Sequence, residues 1–382
     1  MRHKSDHMLP VGILEWRSGG HRLAYVAAIV DGASAMGYTA VLVTDAATIE
    51  SPQFEVHLRG KQRLAVQQVR GGIGTLFGMV RSLGWLRKNA AVVVVPEVDR
   101  FLAVLIVAWL FRTLPKKTAI IVMRPPMRRL KADHSSPSNL VTRGAALAAG
   151  AFKTVLMVAC QHIPSISLFL LEDPLASGNQ RVWGWPFRSA KLRLDDPSDL
   201  LPVGMGVQPE ELRAIREGSP VIAIAGSIDS RKQVPLVLEA WDLVDKQAEP
   251  ILLLAGPHEP SLRLLVGQYA ATHASVISID RYLTNDELAG VIERSEALVV
   301  LYDGGVSSGI LTSAVAAGRW VITTEGTRLG AIAAASGIAV PCTSEPASLA
   351  SAIERAVSYG SPPSGRTLPT GVDFALRLLS RH

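Results

Sequence analysis

Two loops in the second half of the chain hold residue types that suit a negatively charged ligand. The first is Leu301-Tyr-Asp-Gly-Gly-Val-Ser-Ser-Gly-Ile-Leu311, where a buried-type strand runs into two glycines and Ser307-Ser308-Gly309 opens a helix reaching Ala317. Free backbone N–H groups and the positive end of a helix favour an anion at that point. The hydroxyls of Ser307 and Ser308 can donate as well, and Gly309 allows close backbone approach. Taken alone, the segment is explained equally well by a plain serine N-cap. The second loop is Gly226-Ser227-Ile-Asp-Ser-Arg231-Lys232, between the strand Val221–Ala225 and a helix from Pro235. Gly226 permits a tight turn beside a ligand, and Arg231 and Lys232 stand where a basic side chain reaches a phosphate. The plain alternative is a solvated charge pair before a helix. Two anion-suited loops in one domain point to a diphosphate.

The first half offers a different kind of chemistry. Glu15-Trp-Arg-Ser-Gly19-Gly20-His21-Arg22 joins a strand to a helix. Gly19 and Gly20 suit close approach of an acceptor. His21, with an ordinary pKa of ~6.5, can take a proton from an acceptor hydroxyl at neutral pH, or simply cap the helix. Glu97 and Asp99 follow the strand Ala91–Val95 and are candidates for the same task or for binding acceptor hydroxyls; a solvated loop acid is the plain alternative. From Arg112 to Lys131 the chain carries seven Lys and Arg and no Asp or Glu. Cations beside apolar sequence suit an anionic leaflet. Nucleic acid is not expected, because no aromatic-interleaved or helix-turn-helix pattern accompanies the charge. The nine histidines are scattered, so no metal site is expected.

The elements that must position these residues alternate. Strands are expected at Val11–Leu14, Thr39–Thr44, Ala91–Val95, Ala119–Met123, Val155–Ala159 and Ser167–Leu171, with helices near 21–36, 75–87, 101–111 and 140–152. Trp183–Pro202 has three prolines and no period and reads as a linker. The second half repeats the alternation, with strands at Val221–Ala225, Ile251–Ala255, Ser275–Ile279, Leu298–Tyr302, Trp320–Thr323 and Ile338–Val340. A short helix with Asp373 as N-cap closes the chain near Ser380. Such alternation implies parallel sheets covered by helices on both faces: an α/β chain of two doubly wound, Rossmann-like domains facing across a cleft, with ligands at the strand C-termini. The expected division is 1–190, 191–365 and a tail, 366–382, packed back on the first domain.

Composition narrows the classes further. With 382 residues, 48% hydrophobic and 19% charged, the chain is neither disordered nor too short for two cores. Two cysteines exclude a disulfide framework and fit a reducing compartment. No signal peptide is visible, and the longest apolar run, Phe101–Phe111, is about half of what a bilayer span needs. A cytoplasmic protein, peripheral at the inner membrane face, is therefore expected. Residues 1–190 carry 23 Lys and Arg against 11 Asp and Glu, a balance of +12, whereas the rest of the chain carries 16 against 22, a balance of −6. The two halves should face different partners.

Gly226…Lys232, Leu252-Leu-Leu-Ala-Gly256, Tyr282-Leu-Thr-Asn-Asp-Glu-Leu288 and Ser307-Ser-Gly309…Ala314-Val-Ala-Ala-Gly318 follow one another in an order that resembles the donor domain of GT-B glycosyltransferases, especially the family 4-like group. The resemblance covers roughly 215–345; the first half matches only in general layout. It implies a nucleotide-diphosphate sugar as donor, bound at Gly226, Ser227, Arg231, Lys232, Ser307, Ser308 and Gly309, with Arg281 and Tyr282 near the base. It implies a glycan or lipid-linked acceptor, and no cofactor or bound metal. Many members place two glutamates eight residues apart where this chain has Gly305 and Ser313, and an arginine where it has Ser227. Two alternatives follow from those departures and from the shared fold: a catalytically degenerate partner subunit, and a sugar-nucleotide epimerase.

Overall fold

The computed structural model describes residues 9–18, 22–69, 75–99, 101–123, 139–177, 186–187, 189–197, 204, 206–213, 215–302, 308–362 and 368–380. It contains two compact units, Met1–Glu172 with Val182–Asp196 and Gly371–His382, and Asp173–Arg181 with Pro197–Thr370.

The strands of the first unit are β1 (Val11–Leu14), β2 (Ala40–Thr44), β3 (Leu64–Gln68), β4 (Val92–Val95), β5 (Thr118–Val122), β6 (Ile166–Glu172) and β7 (Arg193–Asp195). They form one parallel sheet in the order β3-β2-β1-β4-β5-β6-β7. β1 lies at its centre, with Ile13 opposite Leu42 on one side and Val94 on the other. β1, β2, β4 and β5 are buried along their whole length, which is why they read as near-continuous apolar runs. The helices are α1 (Arg22–Ala35), α2 (Ala46–Ile49), α3 (Pro52–His57), α4 (Leu76–Asn89), α5 (Leu102–Leu110) and α6 (Asn139–Gln161).

Three features depart from the expectation. Val155–Ala159 is not a strand but the last part of α6. Its β-branched residues favour a strand locally, yet Met157 and Cys160 are fully buried at helical spacing and Cys160 Sγ meets the Leu102 carbonyl of α5 at 3.7 Å, so packing overrides propensity. β3 is an edge strand with four of five residues exposed, and therefore lacks an apolar signature. The segment read as a linker from Trp183 contains β7, three residues that pair with β6 and belong to the first unit.

The second unit has β8 (Val221–Ala225), β9 (Ile251–Ala255), β10 (Val276–Ile279), β11 (Ala297–Val300), β12 (Trp320–Thr324) and β13 (Ala339–Cys342), in the order β10-β9-β8-β11-β12-β13, all parallel. Its helices are α7 (Val234–Leu243), α8 (Pro260–Thr272), α9 (Asn285–Arg294), α10 (Gly309–Ala317), α11 (Arg328–Ala335) and α12 (Pro346–Ser358). Alternate residues of β8 feed two core layers: Ile222 and Ile224 pack with Trp241 and Ile353, while Val221, Ala223 and Ala225 pack with Leu311 and Ile332.

The last helix, α13 (Gly371–Leu379), belongs to the first unit and packs on α1. A side chain at Gly32 would collide with Ala375, and the Tyr25 and Phe374 rings lie 5.6 Å apart. Asp373 sits inside the first turn of α13, not at its N-cap. In both sheets the strand order reverses next to the first strand, between β1 and β4 and between β8 and β11. Loops leaving the C-terminal ends of those strands diverge and open a crevice.

Candidate functional site

The two anion-suited loops leave adjacent strands at the crevice of the second unit: one follows β8, the other β11. Gly226 takes φ 82°, a left-handed conformation that glycine adopts without a Cβ penalty. Ser230–Lys232 form a short 3-10 turn capped by Asp229, and Gln233 then takes φ 52°. That strained position is held because Gln233 Nε2 donates to the Leu301 carbonyl at 3.1 Å. Thr324 Oγ1, at the end of β12, donates to the same carbonyl at 3.3 Å. Leu301 therefore leaves the sheet at a fixed point, just ahead of the glycines.

Lys232 is the one basic side chain of this loop that turns inward, only 8% exposed. Its Nζ donates to the Ala225 carbonyl at the end of β8. Burial pushes its pKa down to about 8, and Asp229 offsets part of that. A Cβ built on Gly226 would lie 3.6 Å from Lys232 Nζ and 3.8 Å from Ile310 Cδ1, so the amine, the glycine and the first turn of α10 converge. Ser308 caps α10, accepting from the Leu311 amide at 3.3 Å, and its hydroxyl meets Tyr302 Oη at 2.8 Å. The amides of Gly309 and Ile310 have no acceptor within the helix. A buried cation faces a helix N-terminus across a glycine, a geometry that holds a phosphate group.

The other predicted donor residues are placed differently. Ser227 is exposed on the same loop. Arg231 is exposed and forks onto Asp229, with Nη2 at 2.6 Å and Nε at 3.1 Å, so its charge is already balanced. Burial raises the Asp229 carboxyl, but this ion pair outweighs it and leaves the pKa below the ordinary value. Arg281, expected near the base, is paired with Glu287 at 2.7 Å and Glu211 at 3.0 Å. Those bonds raise its pKa further and lower both carboxyls, and Glu287 also closes the capping box of α9 with Thr284. Arg281 thus ties the α9 entry to Glu211. Tyr282 is half-buried, which raises its hydroxyl pKa. Ser307 and Gly305 lie outside the described residues, and Ser313 is buried within α10.

At the crevice of the first unit, Glu97 is ion-paired to Arg22. Asp99 holds Lys153 at 2.5 Å and accepts the Met123 amide at 2.8 Å. Both acids named from the sequence are thus engaged by cations. The unexpected group is Glu15, at the end of β1 and 2% exposed. Its Oε1 accepts the amides of Trp16 and Arg17, both at 3.0 Å. Burial pushes its pKa up to about 7; those amides and Arg22 pull it down, and Glu97 adds to the rise. Trp16 packs edge-on to Phe101 at 4.8 Å beside it. Gly19, Gly20 and His21 lie outside the described residues.

Four contributors were not legible as such: Glu15, Gln233, Thr324 and His258. His258 is buried, with Nδ1 2.7 Å from the Gly256 carbonyl and Nε2 3.1 Å from Ser278 Oγ. It fixes Gly256, where any side chain would strike the Gly226 carbonyl, and so braces the turn after β8 from behind. Only Glu15 had a sequence signal, a charge directly after an apolar strand. Among the described residues no group of three or more His, Cys, Asp or Glu has metal-holding geometry, and no helix is long and apolar enough to cross a membrane.

Residues 219–358 match the family model described as Glycosyl transferases group 1. Comparison with curated proteins finds no match. Solved structures share the whole architecture. Sucrose-phosphate synthase from Thermosynechococcus elongatus is 15% identical with a TM-score of 0.62, covering 97% of this chain and 94% of that one. WaaG, a glycosyltransferase involved in lipopolysaccharide biosynthesis, is 12% identical with a TM-score of 0.58, covering 96% and 94%. UDP-GlcNAc 2-epimerase from Neisseria meningitidis, bound to UDP-GlcNAc, is also 12% identical with a TM-score of 0.58, covering 97% of both chains. At such identities the likeness is one of fold, and that fold is GT-B.

Proposed function

We propose that this chain, whose residues 219–358 form a group 1 glycosyltransferase domain within a GT-B fold, moves a sugar from a nucleotide diphosphate to an acceptor hydroxyl. The observation that carries the assignment is the convergence of Lys232, Gly226 and the first turn of α10 at the reversal point of the second sheet. As the bond between the anomeric carbon and the diphosphate oxygen breaks, negative charge gathers on the diphosphate. Lys232 and the Gly309 and Ile310 amides meet it there, fixed in advance of the reaction. In this assignment the chain supplies that positive charge itself, with neither metal nor organic cofactor.

The acceptor, a glycan or lipid-linked hydroxyl, is assigned to the crevice of the first unit. Its proton passes to Glu15, whose pKa of about 7 matches the working pH of a general base. Glu97 and Asp99 are ion-paired to Arg22 and Lys153, whereas Glu15 is held by the Trp16 and Arg17 amides. His21 is the alternative proton acceptor. We assign the protein to a reducing compartment at the cytoplasmic face of a membrane, on the two buried thiols Cys160 and Cys342 and on the basic first half.

A thermal-shift and calorimetric screen against UDP- and GDP-sugars tests the donor site. Binding of one nucleotide class supports it, and absence of binding at millimolar concentration would return the chain to the degenerate-subunit alternative. The epimerase alternative rests on the UDP-GlcNAc-bound relative in fold. Incubating the donor without acceptor separates the two, because epimerisation needs no second substrate.

A further inference from the structure

The first unit leaves an apolar face uncovered on its outer surface. On α4, Phe77, Arg81, Trp85 and Lys88 recur at three- and four-residue spacing, opposite the buried Met79, Leu83 and Leu86. Phe77 is 86% exposed and Trp85 38%. α5 ends in Trp109 and Leu110 and is closed by Phe111, exposed by 45, 65 and 73%. The two stretches are neighbours: Arg87 donates to the Arg112 carbonyl, and Thr113 lies 3.8 Å from where a Cβ on Gly84 would stand. Contiguous exposed aromatics of this extent mark a surface built to be covered.

The charge around the aromatics says by what. Arg81, Arg87, Lys88, Arg112, Lys116 and Lys117 are all exposed. Between residues 75 and 132 the only acids are Glu97 and Asp99. Both follow β4, at the opposite end of the sheet from the C-termini of α4 and α5, and both are committed to cations. The cover must therefore accept tryptophan and phenylalanine while meeting a cluster of exposed cations. Indole rings sit well at a lipid headgroup boundary, and each basic residue near an anionic leaflet contributes about 1 kcal/mol. We propose that the α4–α5 face docks on an anionic lipid surface, with Trp85, Trp109, Leu110 and Phe111 entering the headgroup region and the surrounding cations meeting lipid phosphates. It rests on the membrane assignment above and names the surface that would carry it.

Vesicle flotation tests both levels with the purified full chain. The vesicles are phosphatidylcholine alone, or equal parts phosphatidylcholine and phosphatidylglycerol. The wild type should float with the anionic vesicles only, and salt should release it. Arg81→Glu with Lys88→Glu should weaken binding at least about tenfold, since two charges are reversed. Trp109→Ser with Phe111→Ser should abolish flotation, and circular dichroism should show an unchanged fold because both side chains are exposed. A wild type that floats with neither vesicle overturns the membrane assignment together with this surface. A wild type that floats with anionic vesicles alongside two equally competent variants overturns the surface alone. Equal binding to both vesicle types also overturns it. A chain that dimerises through Trp109 and Phe111 and ignores vesicles would show a second copy as the cover, again overturning it.

Discussion

Lys232 gives the sharpest test of the donor site, because its environment ties nucleotide affinity to pH. With a pKa of about 8 the amine is roughly 90% charged at pH 7 and roughly 9% charged at pH 9. A nucleoside diphosphate keeps its full charge over that range, its last phosphate proton leaving near pH ~6. If the charged amine binds the diphosphate, Kd should rise about tenfold between pH 7 and pH 9, equivalent to about 1.4 kcal/mol. Binding should also draw a proton, because the diphosphate restores the amine's preference for charge. Near pH 8, calorimetry in buffers of different ionisation enthalpy should find uptake of about half a proton per nucleotide. Lys232→Met should lose both the pH dependence and the proton uptake. Its effect on the ligand-free protein has a defined sign. The folded pKa lies below the unfolded 10.5, so the charged amine costs stability in full below about pH 8, and that cost fades as pH rises toward 10.5. At neutral pH the ligand-free Lys232→Met variant should therefore melt no lower than wild type while binding nucleotide more weakly. A flat Kd from pH 7 to 9, or an unchanged Kd in the variant, would remove Lys232 from the site.

Glu15→Gln should lower kcat/KM by about a hundred- to ten-thousand-fold and erase the rise in rate through pH 7; a wild-type pH profile would move the proton to His21. The folded pKa of Glu15 is raised from 4.5 to about 7, so ionising it costs stability that is lost as pH climbs through that window. The glutamine variant should consequently be at least as stable at pH 8. Arg281→Ala should cost about 1 kcal/mol, discounted because the pair is partly exposed, and change nucleotide Kd less than twofold; a large loss of affinity would restore Arg281 to the base site. Ser308→Ala removes the α10 cap and the Tyr302 partner, so denaturant melts should show a loss of about 1–2 kcal/mol together with weaker nucleotide binding.

What the chain disclosed before folding follows from the range of the forces involved. The strands of both central sheets were readable because burial on two faces demands uninterrupted apolar runs such as Val92–Val95 and Ile251–Ala255. β7 was not, since three residues with charges at both ends carry no periodic signal and exist only through pairing with β6. The turns after β8 and before α10 were readable because glycine and serine reflect local backbone needs. The pairing of Arg281 was not readable, because its sequence neighbours do not reveal Glu211, seventy positions away. In the sequence Glu15 reads only as the start of a glycine loop. Its role depends on how completely the first unit encloses it, a property of the fold and not of the segment.

Net charge misdirects in the same way, and the two crevices show how. The half with a balance of +12 would seem the natural host for a diphosphate, yet in its crevice Arg22 is matched by Glu97 and Lys153 by Asp99. The acidic half presents Lys232, whose amine meets a backbone carbonyl, beside a helix N-terminus. Local pairing, over distances of a few ångströms, decides where an anion binds; the total charge of a domain acts only through its long-range and screened field. In the first half, Arg81, Arg87, Lys88, Arg112 and Lys116 stand exposed on and just after α4 and α5 instead. If nucleotide affinity proved insensitive to Lys232 but fell steeply with salt and with loss of Arg81 and Lys88, this division of labour between the two halves would have to be reversed.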